Sequence, residues 1–184
     1  MRWQRLFADL EAQAEELAAR EFEGEVAERT RIEVGKLRLV DRLRAANGHP
    51  IQVSCIGAGS VRGRLDQVGS GWLLLTEEPG HEVLVALDAV VSLVGLGTLS
   101  SAPRSESKVT SRLDLRYALR GIVRDRAPVQ LVLVDGTAFD GTLDRVGSDF
   151  VEMAEHPRGE PRRASTVQRV RTVPLGAIAA VRAW

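Results

Sequence analysis

The feature that most constrains this chain of 184 residues is an internal duplication. Without a gap, residues 50–75 align with residues 128–153 at eight identical positions out of 26. Most other positions exchange one apolar residue for another, and a second match joins residues 85–93 to residues 173–181. A chain built from two related segments is expected to fold into two related units.

The second copy has the pattern of short β-strands in succession. Apolar side chains over residues 129–134 are rich in β-branched types and alternate with period two. Asp135-Gly136 supplies a hairpin turn, because glycine tolerates the positive φ that such turns need. Gly141 lies inside the next strand, where a glycine usually marks a bulge or a sharp bend. The pattern predicts three strands over residues 128–153.

Helical periodicity precedes each copy. Residues 2–22 place apolar side chains on one face, a second helix is predicted at about 25–46, and a third at about 108–125. Residues 95–105 have the Gly, Ser and Pro content of a linker. Each copy of the strand pattern is therefore expected to follow a helix.

The amino-acid composition limits the classes of protein to which this chain can belong. Hydrophobic residues make up 44% and charged residues 27%, as in soluble globular proteins. The longest apolar run is far short of the roughly 18–20 residues of a membrane span, and the first residues lack the apolar segment of a signal peptide. The single cysteine, Cys55, excludes an internal disulfide framework. We expect a cytoplasmic protein with no membrane association.

A helix followed by five short, bent strands is the layout of the Sm/LSm-like barrel. Residues 141–151 (GTLDRVGSDFV) resemble the first Sm motif in the strand glycine, the turn and the apolar strand after it. Residues 173–178 (VPLGAI) occupy the place of the second motif. The pattern is also similar to the C-terminal barrel of bacterial ribosome-maturation factors, which are Sm-like too. The duplicated arrangement with an acidic first helix resembles that of a bacterial protein group.

This resemblance covers about residues 25–96 and 108–184, and it implies a mainly β fold with α. The expected architecture is two tandem five-stranded Sm-like (SH3-like) barrels, each preceded by a helix, plus an extra N-terminal helix. The predicted domains are an acidic amphipathic N-terminal helix (1–24), a helix with the first barrel (25–97), a linker (98–107), and a helix with the second barrel (108–184).

The nucleotide-binding residues of that family are not matched here. RNA-binding Sm proteins begin the third strand with an acidic residue, a base-stacking side chain and an asparagine, where this chain has Gly147, Asp149 and Val151. The Arg-Gly pair of the second motif is replaced by Pro174-Leu175. The first copy departs in the same way, with Gly69, Gly71, Leu73, Ala86 and Leu87. We therefore do not expect a family-style RNA site at the barrel rim.

Arginine recurs every fourth residue on the predicted third helix, opposite its apolar face, and again in a basic loop predicted over residues 156–171. Several cations on one rigid element suit a phosphate backbone, because each neutralised phosphate releases counterions. The alternatives are a solvated helix face, partly paired with the acidic N-terminal helix, and an acidic protein partner. The candidate RNA- or polyanion-binding residues are Arg112, Arg116, Arg120, Arg124, Arg162 and Arg163.

The N-terminal helix offers a second kind of surface. Trp3, Phe7 and Leu10 form an apolar stripe that predicts self-association. Packing of this helix on its own barrel and contact with a membrane are the alternatives, although its acidic polar face does not favour a membrane.

No constellation of residues points to catalysis. The three histidines, His49, His81 and His156, fall in predicted loops without the spacing of metal ligands. Cys55 aligns with the strand residue Leu133, which predicts a buried small hydrophobe. Asp66 and Asp144 are equivalent in the two copies, and we interpret them as structural turn or cross-strand partners. We expect no enzyme activity, no metal, no cofactor and no small-molecule substrate.

These observations lead to two functional hypotheses. The first is a non-catalytic binding protein in RNA or ribonucleoprotein association, acting through the arginine surfaces. The alternative is a protein–protein assembly scaffold with no nucleic-acid role, which self-associates into a ring or dimer through exposed sheet edges and the Trp3/Phe7/Leu10 stripe.

Overall fold

The computed structural model describes Phe22 and residues 28–98, 113–160 and 162–183. The chain divides into two compact units, Met1–Arg38 and Leu39–Trp184. In the first unit, residues 28–36 are helical. The described part of the second unit contains the helices α1 (Leu39–Ala45) and α2 (Leu115–Asp125) and ten strands. Trp3, Phe7 and Leu10, and with them the predicted self-association stripe, lie outside the described residues.

Each repeat contributes five strands, with a short 3-10 turn between its fourth and fifth. The first repeat contains β1 (Pro50–Cys55), β2 (Gly59–Val68), β3 (Trp72–Glu77), β4 (His81–Ala86) and β5 (Val90–Val94). The second contains β6 (Pro128–Leu133), β7 (Ala138–Val146), β8 (Phe150–Glu155), β9 (Arg169–Pro174) and β10 (Ile178–Ala183). The 3-10 turns are Leu87–Ala89 and Leu175–Ala177.

The expectation of a mainly β chain with helices is confirmed, and all ten strands form one antiparallel sheet. The strand order is β5-β1-β2-β3-β4-β10-β6-β7-β8-β9. The sheet runs from one repeat directly into the other and does not close on itself, so that β5 and β9 are its edge strands. Among the described helices, none is both long and apolar enough to cross a membrane.

The strand glycines Gly63 and Gly141 do not themselves form the bulges. A Cβ at Gly63 would lie 2.8 Å from the carbonyl carbon of Thr76, and one at Gly141 would lie 3.0 Å from that of Ala154. Both glycines therefore allow the neighbouring strand to approach closely. The pairing shifts three residues later, between Leu65 and Gln67 and between Leu143 and Arg145. Asp66 and Asp144 are the extra residues at these equivalent bulges.

The core follows the alternation that the sequence predicts. The first repeat buries Val53, Val61, Leu65 and Leu75 completely, together with Leu43 of α1. Full burial of one such side chain stabilises a fold by about 1.5–3 kcal/mol. The second repeat buries Leu131, Leu143 and Met153, which match Val53, Leu65 and Leu75. It also buries Val151 and, from α2, Leu119.

The predicted helix boundaries change in detail. The helix expected over residues 25–46 is interrupted at residues 37–38, which separates residues 28–36 from α1. The described part of the third helix begins at Leu115, because Asp114 caps it: the Asp114 side chain accepts a hydrogen bond from the Tyr117 N–H at 2.8 Å. The loop predicted over residues 156–171 ends at residue 168, because residues 169–171 belong to β9. Its described residues are mostly exposed, but the first, His156, is only 3% exposed.

Candidate functional site

The two repeats join through a seam between β4 of the first and β10 of the second. The seam consists of three antiparallel residue pairs, Val83↔Arg182, Leu84↔Val181 and Val85↔Ala180. Every side chain in it except that of Arg182 is at most 5% exposed. Because β10 also pairs with β6, the seam continues the backbone hydrogen bonding of the sheet from one repeat to the next.

The β1–β2 hairpin of the first repeat lies against the second repeat at the same seam. Gly57 has φ +73°, and a Cβ there would overlap the carbonyl oxygen of Leu133 and lie 2.8 Å from the carbonyl carbon of Val134. Arg182 donates a hydrogen bond to the carbonyl oxygen of Ala58 at 3.3 Å. A side chain at position 57 would therefore force the repeats apart at this point.

The strands left at the two edges are the counterparts of the strands that meet in the seam. β9 takes the place in the second repeat that β4 has in the first, and β5 takes the place of β10. The registers agree residue by residue between the repeats: Leu75↔Val83 with Met153↔Arg171, and Val53↔Leu93 with Leu131↔Val181.

The edge strand β5 lacks two of the usual protections of an exposed sheet edge, charge and proline, although its pairing with β1 shifts at Val91. Its sequence, VVSLV, contains no charged residue and no proline, and the side chains of Val91 and Val94 are 66% and 65% exposed. Proteins commonly place charges, proline or bulges in edge strands, because these features prevent the unpaired strand from pairing with a strand of another molecule. Within the described part of the chain, β5 therefore presents an apolar surface and an outer line of backbone donors and acceptors that no other strand pairs.

The opposite edge, β9, carries charge, but that charge is directed at its own repeat. Arg171 donates to the carboxylate of Glu155, and its guanidinium lies 3.7 Å from the centre of the Phe139 ring. Arg169 contacts the other oxygen of Glu155 at 3.2 Å. Between them, Val170 is 59% exposed. The arginines of β9 therefore leave its apolar residue and its outer backbone accessible.

The arginine row on α2 is only partly available to a ligand. Arg116 is paired with Asp114 at 2.7 Å and also donates to the Ser148 carbonyl oxygen at 3.4 Å. Arg120 and Arg124 are exposed, next to Tyr117, which is 58% exposed, and Arg124 lies 3.9 Å from the carboxylate of Asp125. Arg112 lies outside the described residues. Of the predicted row, the structure brings Arg120 and Arg124 together on one exposed surface.

The same pair affects the N-terminus of α2. Partial burial alone would raise the pKa of Asp114, but the Tyr117 N–H and the Arg116 guanidinium more than offset it and hold that pKa below its usual value. The carboxylate is thus a structural cap that also neutralises Arg116, the first described arginine of the row.

The loop arginines are also largely paired. Arg162 forms an ion pair with Asp144 at 2.7 Å, and the Asp144 carboxylate raises the pKa of Arg162. Arg158 lies 3.7 Å from Asp140. The side chain of Arg163 is exposed, while its backbone N–H donates to the Thr166 hydroxyl. The loop therefore presents much less free positive charge than its sequence suggests.

Asp66, Cys55 and His156 each have a structural place in the sheet or its core. Asp66 accepts hydrogen bonds from Arg64 and Thr76, which confirms its interpretation as a cross-strand partner. Cys55 is buried as predicted, and burial raises the pKa of its thiol although Arg182 opposes this. His156 is buried against the hydroxyl of Thr142, at 2.9 Å. Among the described residues, no group of three or more His, Cys, Asp or Glu side chains could hold a metal ion.

A cleft of about 310 Å³ opens where the repeats and the start of α2 meet. Its polar lining includes Ser70 and Ser148, which occupy equivalent turns in the two repeats, and the paired Asp114 and Arg116. The backbone N–H of Ser70 donates to the Leu113 carbonyl oxygen at 2.9 Å, so that the chain entering α2 crosses the β2–β3 turn. The cleft is therefore lined by two serines, by the ion pair of Asp114 and Arg116, and by the exposed Asp88.

The seam is the feature that reasoning from the sequence missed. The signal was present, because β4 and β10 contain continuous apolar runs, VLVA over residues 83–86 and IAAV over residues 178–181. Such runs are typical of strands buried on both faces, whereas one-sided strands alternate. A second missed signal is Gly69 with Trp72, repeated as Gly147 with Phe150, where the ring packs directly on the glycine.

Comparison with known proteins gives no assignment: no family model, curated protein or solved structure matches this chain.

Proposed function

We propose that this chain is a non-catalytic assembly scaffold, built on two tandem Sm-like barrels, whose copies associate by pairing the edge strands β5 and β9. The Sm-like assignment is supported by the strand order β5-β1-β2-β3-β4 within the first repeat and its equivalent in the second. The bulge in the second strand and the 3-10 turn before the fifth occur in both repeats.

The observation that carries this proposal is the seam between β4 and β10. In this seam, two repeats of the same kind are already joined by strand pairing, and buried apolar side chains line the join. Among the described strands, each molecule retains one edge strand of each of the two kinds that form such a join, β5 and β9. Strand addition of this type gains main-chain hydrogen bonds and buries the apolar residues that line the edge.

The experiment compares two pairs of lysine substitutions. Val91→Lys with Val94→Lys places two charges on the β5 edge, at positions whose exposure leaves the single chain intact. Ile32→Lys with Leu39→Lys is the matched control, since these side chains are 51% and 48% exposed but lie on helices. Light scattering of the wild type should give a mass above the 20.1 kDa of one chain that increases with concentration.

The edge variant is expected to remain at 20.1 kDa and the control to behave as the wild type. A wild-type protein that stays at the mass of one chain at the highest attainable concentration contradicts the proposal. Equal loss of association in the edge variant and the control would also contradict it, because the edge would then have no special part.

A second candidate function, polyanion or RNA binding, is favoured by one observation. Arg120 and Arg124 lie one turn apart on the exposed surface of α2, beside the exposed aromatic ring of Tyr117. Two such cations can contact successive phosphates, while an aromatic face can stack on a base. The pairing of Arg116 and Arg162 with carboxylates reduces this surface relative to the sequence prediction.

Fluorescence anisotropy with a labelled oligouridine at low salt tests this candidate. Arg120→Glu with Arg124→Glu should abolish binding, whereas Arg29→Glu with Arg31→Glu makes the same change in net charge on a different helix and should not. In the wild type, each phosphate contact adds about 0.7 to the slope of log affinity against log salt. Identical affinity in both variants would exclude α2 as the binding surface.

A further inference from the structure

A groove of about 260 Å³ opens between α2 and the sheet. One side of it is formed by α2 from Tyr117 to Asp125, and the other mainly by β3 and β4 of the first repeat and β6 and β10 of the second. These helical residues rise by about 12 Å along the groove. A cavity of roughly 150 Å³ is enough for benzene in a protein interior. The groove therefore has room for a larger aromatic body.

The walls of this groove are mostly apolar. Leu84, Val129 and Val181 form its floor and are buried, because α2 and the sheet already cover them. Half-exposed apolar side chains, Leu74 and Ile122 among them, border the floor. The apolar body of a ligand would remove these side chains from water, which favours binding.

The ring of Trp72 is a fixed wall of the groove. Its Nε1 donates a hydrogen bond to the Leu113 carbonyl oxygen at 2.8 Å. The ring also packs on Gly69, where a Cβ would overlap it. Because the ring is already held in one orientation, a ligand does not have to order it on binding. A preformed aromatic wall lowers the entropic cost of binding.

The charged residues that line the groove are acidic. They are Glu82 and Asp125, both exposed, and no basic side chain belongs to the described lining. The Glu82 carboxylate has no hydrogen bond or ion pair with a described residue, and the Asp125 carboxylate forms only an exposed pair with Arg124 at 3.9 Å. An apolar groove bordered by two carboxylates is complementary to a ligand that joins an apolar body to a cation.

Gly121 leaves space in the groove. It lies inside α2 and lines the groove, and a Cβ there would have no heavy atom within 4 Å. Neither packing nor a positive φ therefore requires glycine at this position. A glycine inside a helix nevertheless destabilises that helix relative to alanine. The local structure gains nothing from this glycine, whereas a ligand in the groove gains room.

We infer that the groove binds an amphipathic organic cation, with its aromatic body against Trp72 and its protonated amine at Glu82 and Asp125. Such a ligand uses the apolar walls, the space at Gly121 and the two carboxylates together. The described lining of the groove includes no residue of β5 or β9. The site is therefore separate from the edges by which copies are proposed to associate, and binding there does not require association.

Calorimetric titration of the full chain with two matched probes at neutral pH tests the site. Tryptamine and indole-3-propionate share one ring system but carry opposite charges. Tryptamine is expected to bind and to shift the NMR signal of the Gly121 amide, and indole-3-propionate to bind about tenfold more weakly. Glu82→Gln should weaken tryptamine binding about fivefold. Glu160→Gln makes the same change in net charge in the exposed loop before β9 and should leave the affinity unchanged.

Gly121→Leu fills the groove with a side chain that favours the helix. It should abolish tryptamine binding while Tm stays at or above that of the wild type. Retained binding in this variant, equal binding of the two probes, or equal effects of Glu82→Gln and Glu160→Gln would each overturn the inference, as would the absence of any response to tryptamine. None of these results changes the mass expected from light scattering, so the inference and the proposed scaffold are tested separately.

Discussion

The seam and the open edges of the sheet are built from the same two kinds of strand in different surroundings. In the seam, Val83 and Val85 are completely buried, whereas at the edges Val91, Val94 and Val170 are more than half exposed. Residue type alone therefore does not decide which strand becomes an interior one. The seam forms within one chain, because the covalent connection keeps the two strands at high effective concentration. The edges require a second molecule.

The first hairpins of the two repeats differ in what stabilises their turns. The β6–β7 hairpin is stabilised locally, since the Asp135 carboxylate accepts a hydrogen bond from the Thr137 N–H at 2.8 Å, which lowers the pKa of Asp135. The β1–β2 hairpin has Gly57 at that position and lies against the second repeat instead. One hairpin is shaped by its own turn and the other by its neighbour.

Substitution at Gly57 is expected to have the largest effect. In Gly57→Ala, the added methyl would overlap the backbone of Leu133, and the residue would have to keep a positive φ. We expect the free energy of unfolding to fall by about 3 kcal/mol, as measured by urea denaturation. The matched control is Gly136→Ala, whose φ is +87° but whose nearest neighbour, the Gly57 carbonyl oxygen, is 3.8 Å away. It should lose only about 1 kcal/mol. Equal losses would show that the contact between repeats does not require a glycine.

Equivalent carboxylates in the two repeats provide a second comparison. Glu155 is 8% exposed and binds both Arg169 and Arg171, while Glu77, its counterpart, is half-buried and stands opposite His81. Glu155→Gln should reduce the free energy of unfolding by about 2 kcal/mol, because two arginines lose a charged partner. Glu77→Gln should change it by less than about 0.5 kcal/mol. Urea denaturation measures the free energy of unfolding of both variants. Similar losses would mean that the two arginines bound to Glu155 do not stabilise the second repeat.

The sequence predicts the repeated part of the fold well, because that part depends on local patterns. The alternating residues 129–134, the Asp135-Gly136 turn and the burial of Cys55 all follow from period, turn chemistry and alignment. The seam could not be read in the same way, since pairing between β4 and β10 joins residues about one hundred positions apart. Similarly, the charge of Arg116 or Arg162 is visible in the sequence, but the carboxylates that neutralise it are brought close only by the fold.

The smallest expected effect concerns α1 and α2, since of this pair α2 alone follows an acidic cap. Residue 38, before α1, is an arginine, whose side chain cannot accept a backbone N–H, whereas Asp114 accepts that of Tyr117. Since the folded-state pKa of Asp114 is lowered, its ionised form contributes stability at pH values above the unfolded pKa of about 3.9. That contribution is lost as the pH falls through the lower folded-state pKa.

Asp114→Asn keeps a capping oxygen and removes only the charge. Its Tm should be about 2 °C below that of the wild type at neutral pH, and the gap should close below about pH 4, as followed by circular dichroism. Asp125→Asn, at the opposite end of α2, is the control. There the negative charge opposes the helix dipole but also forms an exposed ion pair with Arg124 at 3.9 Å, so its removal should leave Tm nearly unchanged at neutral pH. A gap for Asp114→Asn that stays constant from neutral to acidic pH would mean that the carboxylate stabilises α2 through its shape and not through its charge.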